Sequence, residues 1–152
     1  MVSDILLNSH GERLLCCRLR LKQMPKVRYI SRSLIDGPYV GLCLSEEAFK
    51  AELKRLRVPE HQWPQALSVG SHAEMHTMRN PQGNTVFLIC MKRNPKFSRI
   101  ESYATLVHEA IHVWQKWSRS IGAEGDYEPG DEFEAYAIQS ISQRLMEAFE
   151  GK

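Results

Sequence analysis

A five-residue stretch, His108-Glu109-Ala110-Ile111-His112, constrains this chain more than any other. Two histidines four residues apart can share a task only if the segment is helical. On a helix they project from one face, about 6 Å apart along the axis. Two imidazoles so placed can bind one metal ion. Glu109 then follows the first ligand and leans towards the open coordination position, where a carboxylate can accept a proton from water. The alternative is a helix carrying one buried histidine and surface charges.

The flanking sequence supports the helix. Ser98 and Glu101 fit a capping box, with serine at the N-cap and glutamate three positions on. A helix from Arg99 to about Trp117 follows, with Ala104, Val107, Ile111 and Trp114 as its expected apolar stripe and the histidines at its border. Gly122 ends it. Upstream, Thr85–Met91 reads TVFLICM, a β-branched, apolar run expected to form a strand. Asn80-Pro81-Gln82-Gly83 suits a turn, so Ala73–Met78 should pair with that strand as a hairpin. A free edge of this hairpin is the candidate site for an extended peptide.

Catalytic zinc sites take three protein ligands and a water. No histidine follows His112, and Gln115 and Ser118 occupy the two downstream positions that a metzincin would give to glycine and histidine. The next candidates lie in Asp131–Gln139, which opens a second helix running to about Phe149. Glu134 continues the face of Ile138, Ile141, Leu145 and Ala148, whereas Glu132 aligns with Tyr136, Gln139 and Gln143. A carboxylate at the head of an apolar face must be paired, protonated or metal-bound. Glu134 is the expected third ligand, with Glu132 as the fallback. Asp131 and Glu134 also fit a capping box, in which Glu134 would only cap the helix.

With these residues the chain resembles the gluzincins, metallopeptidases with H-E-x-x-H on one helix and a glutamate ligand on a later one. Glu134-Ala135-Tyr136-Ala137 is similar to the glutamate helix of small phage and bacterial domains of the ImmA/IrrE type. The resemblance spans roughly residues 85 to 149. It implies Zn2+ at His108, His112 and Glu134, with Glu109 as acid and base. One position departs from the thermolysin-like pattern: Ile138 stands where an aspartate follows the ligand glutamate by four residues. For the developing oxyanion, Tyr127, in the loop between the two ligand helices, is ranked first among Tyr103, Tyr127, Tyr136, His72 and His76. That loop, Gly122 to Gly130, is either a lid or a plain connector.

The 152 residues form one expected domain, and no apolar run approaches the length of a membrane span. The N-terminus lacks the basic start and apolar core of a signal peptide. Cys16, Cys17, Cys43 and Cys90 form no C-x-x-C pair or secreted framework, which points to small core residues in a reducing cytoplasm. Ser9 and Glu12 predict a helix over 10–23, Tyr29–Ser33 and Tyr39–Leu44 short strands, and Ser45 a helix to about Leu56. Residues 57–72 read as irregular, with Trp63 as a core anchor or substrate wall.

The expected architecture is α+β, a minimal zincin-like domain with helices packed on one side of a small sheet. The expected function is zinc-dependent hydrolysis of peptide bonds in a dedicated protein substrate. Two alternatives stand beside it. One is a catalytically silent, metal-binding interaction domain. The other is a nucleic-acid-associated protease of SprT-like logic, prompted by seven Lys/Arg against three acidic residues in the first forty.

Overall fold

The computed structural model describes residues 26–30, 37–79, 82–122 and 132–151. The expected helix at 10–23, Cys16 and Cys17, the loop containing Tyr127, and Asp131 with its capping box lie outside the described residues.

Alternation between two apolar faces organises the fold. Strand β1 (Arg28–Tyr29), β2 (Tyr39–Cys43), β3 (Ala73–Arg79) and β4 (Thr85–Met91) form one sheet in the order β1-β2-β4-β3. The expected hairpin forms, with Ala73 opposite Met91 and Arg79 opposite Thr85. β4 is central and runs parallel to β2, so the sheet is mixed. A strand buried on both faces needs no polar alternation, and Val86 to Met91 are all buried.

Odd and even positions of β4 serve different cores. Phe87, Ile89 and Met91 face one cluster; Val86, Leu88 and Cys90 face the other. The second cluster is closed by helix α1 (Glu46–Arg55), which begins at Ser45, whose side chain accepts from Ala48 N at 3.2 Å. Phe49 and Leu53 fill it. The first cluster is closed by α2 (Arg99–Ser120) and α3 (Glu132–Glu150). Helices therefore cover both faces, which corrects the one-sided arrangement expected from the sequence. The reason is the doubly apolar central strand: one helical layer would leave half of its side chains in water.

The apolar stripe of α2 is also corrected. Ala104 is exposed, and Val107 and Ile111 are only half-buried. The buried stripe is Leu106, Ala110, Val113 and Trp117, with Trp114 at its edge. It is displaced by about one residue step, roughly 100° around the helix. Both sets satisfy helical periodicity and are alike in size, so packing against the sheet and α3, not side-chain volume, selects between them. On α3 the core face is Ala137, Ile141, Leu145 and Ala148, with Ile138 at its margin.

Trp63 is an anchor. Its Nε1 donates to Val58 O at 2.8 Å, and its ring packs on the α1 cluster beside a short 3-10 turn at Glu60–Gln62. Cys43 and Cys90 are buried free thiols on neighbouring strands. Among the described residues, no helix is long and apolar enough to cross a membrane.

Candidate metal centre

The register of α2 is fixed at its first turn. Ser98 Oγ accepts from Glu101 N at 3.1 Å, and Glu101 Oε2 accepts from Ser98 N at 2.7 Å. This capping box satisfies two N–H groups that the helix itself leaves open. The 22-residue helix then carries His108 and His112 towards its outer side, with Glu109 turned inward between them.

His108 and His112 meet. Their Nε2 atoms are 3.0 Å apart, with the rings nearly perpendicular at 86°. Two nitrogens bound at 2.0–2.1 Å to a tetrahedral zinc stand about 3.3 Å apart, so the pair is close to the spacing of two metal ligands. Without a cation, one Nε2 must donate to the other. His112 Nδ1 lies 3.4 Å from Gln115 Oε1. A proton on Nδ1, donated to that oxygen, leaves the lone pair on Nε2, the tautomer a metal ligand needs. In the sequence, Gln115 stands out only as a mismatch to the metzincin pattern. Its three-residue spacing from His112 is the signal for its place on the same face.

Glu109 is 4% exposed, on the side of α2 nearer the sheet. Burial pushes its carboxyl up; the neighbouring His108 and His112 oppose this. Glu74 of β3 pushes it further up and His76 opposes. The residue expected to handle a proton is thus a desolvated carboxylate beside two imidazoles.

The third position is different. Glu134 is half-buried at the head of the α3 core face, and its Oε1 accepts from Trp114 Nε1 at 3.1 Å. Trp114 lies two residues, about 3 Å of helical rise, beyond His112. The bond therefore brings α3 alongside the level of the histidine pair. Among the described residues, no three His, Cys, Asp or Glu side chains gather on one point. The donor chemistry and spacing of the histidines fit two zinc ligands, and Glu134 stands on the adjoining helix. Glu132 is exposed.

The oxyanion candidates are separated by the fold. Tyr103 donates its hydroxyl to Glu150 at 2.9 Å, near the far end of α3. His76 is buried; its Nε2 lies 3.1 Å from Ala66 O, and its ring packs on Phe49 with centroids 4.8 Å apart. His72 packs edge-on against Phe97, 4.6 Å between centroids. Tyr136 is exposed on α3. Tyr127 lies outside the described residues. β3 is an edge strand of the described sheet, and it packs beside α2.

Compared with protein-family models, curated proteins and solved structures, the chain matches none of them.

Proposed function

We propose that this domain is a zinc-dependent metallopeptidase acting on a dedicated protein substrate. The observation that carries the reading is the 3.0 Å approach of the two Nε2 atoms, beside a buried glutamate that directly follows the first histidine. His108 and His112 would hold the metal, with Glu134 as third ligand. Bound zinc supplies Lewis-acid polarisation of a carbonyl and lowers the pKa of water to about 7. Glu109 takes the proton of the attacking water and delivers it to the leaving amine nitrogen. Its burial suits that shuttle, because a desolvated carboxylate is a stronger base than one in water.

β3 supplies the docking surface in this reading. An extended peptide adding to its outer edge would gain main-chain hydrogen bonds beside α2. The buried free thiols Cys43 and Cys90 accord with a reducing compartment such as the cytoplasm.

The test is Glu109→Gln. The variant should keep fold and zinc, and lose about 10²–10⁴-fold in turnover. Undiminished proteolysis by the variant ends the proposal.

One observation favours a second reading, a catalytically silent interaction domain. Glu134 is already engaged by Trp114. A partner captured by Glu109→Gln and left uncut by the parent protein would support this reading. A partner retained by the variant and cut by the parent would support the peptidase.

A further inference from the structure

The opposite end of the sheet carries a feature that zinc chemistry does not use. β2 and β4 run in parallel from Tyr39 and Val86 to Cys43 and Cys90. Glu74, the electrostatic neighbour of Glu109, pairs with Cys90 at the far end. Tyr39 and Val86 lie four residues earlier along these strands, about 13 Å away.

At that near end α1 stops in a closed turn. Arg57 N donates to Lys54 O at 3.0 Å, and Val58 N donates to Leu53 O at 3.0 Å. These two bonds are the Schellman pattern, whose pivot residue adopts a left-handed conformation usually given to glycine. Here the pivot is Arg57, with φ of 59°, the sole non-glycine residue with positive φ among the described residues. A side chain in that conformation costs about 1 kcal/mol. The turn alone does not require arginine.

The guanidinium borders a cavity of about 370 Å³, also lined by Tyr29, Tyr39, Arg55 and Gln82. Gly41 leaves room for its wall: the Tyr29 ring comes within 3.3 Å of where a Cβ would stand. Arg55 is held by the buried Glu52, through Nε at 2.8 Å and 3.0 Å, yet its side chain remains 61% exposed. The Tyr29 hydroxyl donates to the same carboxylate. Arg57 is exposed, and among the described residues its guanidinium has no hydrogen bond or ion pair. Among the described residues, Glu52 therefore answers Arg55 and no carboxylate answers Arg57, beside two phenol rings.

We propose that this cavity is a binding site for the phosphate group of a small ligand. Arg57 supplies the positive charge and forked N–H donors to its oxygens, and the exposed side of Arg55, whose charge Glu52 already answers, adds further N–H donors. Guanidinium groups match phosphate geometry in two-point contacts. The tyrosine rings form the wall against which the remainder of the ligand rests. This site is independent of the metal centre.

Arg57→Gly tests it, since glycine keeps the left-handed backbone and removes only the guanidinium. Inorganic phosphate is titrated by calorimetry into the parent and the variant at constant ionic strength, with acetate in parallel. The parent should bind phosphate saturably, and the variant at least about tenfold more weakly, with its Tm unchanged or raised. Equal binding by both proteins, no saturable binding by the parent, or acetate binding as tightly as phosphate would overturn the proposal.

Discussion

Trp114 Nε1 and Glu134 Oε1 are joined by a 3.1 Å hydrogen bond that ties the histidine helix to the glutamate helix. Trp114 is fully buried and Glu134 half-buried, so the bond is largely shielded from water. In the metallopeptidase account, Trp114 positions this side chain for the metal as hydrogen-bonded neighbours do for ligating carboxylates.

Substituting each member of this pair should separate metal binding from folding. Glu134→Gln can keep the acceptor oxygen for Trp114 and removes the negative charge. It should fold and lose at least about tenfold in zinc affinity. Trp114→Phe should weaken zinc binding less and destabilise the fold by about 1–3 kcal/mol, because it leaves a carboxylate short of a donor and a gap in the core. Competition with a chelating dye, alongside urea unfolding, reads both effects. Parental zinc affinity in Glu134→Gln would remove that residue from the ligand set.

Acid should loosen the pairing of α2 with the end of α3. The Arg99 guanidinium, bonded at 3.0 Å to each carboxylate oxygen, together with the Tyr103 hydroxyl, holds Glu150 down to about 2. An unfolded glutamate titrates near 4.3. The folded pKa is the lower one, so the stabilisation is fully present above about 4.3 and disappears as pH falls towards about 2. Glu150→Gln should therefore lower Tm at about pH 6 and make little difference at about pH 2. Thermal unfolding of both proteins across that range checks the sign. A Tm difference that does not shrink in acid would contradict it.

A methyl group at position 41 should be poorly tolerated. A Cβ there would lie 2.8 Å from Val27 Cγ1 and 3.1 Å from Leu88 Cδ2. Gly41→Ala should cost about 1–3 kcal/mol, as overpacking does. Val27→Ala removes the closest atom, so the double variant should recover part of the loss relative to adding the two single effects. Strict additivity in denaturant unfolding would show that the clash is not with Val27.

The sequence was most legible where a local pattern has one structural solution. The Ser98/Glu101 box, the Ala73–Met91 hairpin and the approach of His108 to His112 each depend on residues close in the chain. Legibility fell where distant layers decide. Leu106 and Val107 are equally apolar neighbours, and only packing against the sheet buries the first fully and the second in part. Likewise, TVFLICM announced a strand but not that its two faces would recruit different helices. Of the candidate donors, His76 could not be assigned from sequence, because its partner Ala66 O belongs to an irregular segment.

The most direct measurement is zinc content by elemental analysis of the purified protein beside a His108→Ala/His112→Ala variant, each after incubation with zinc and removal of excess. The account predicts about one zinc per chain in the parent and none in the folded variant. A folded parent that retains no zinc, or a variant that retains as much as the parent, would contradict it.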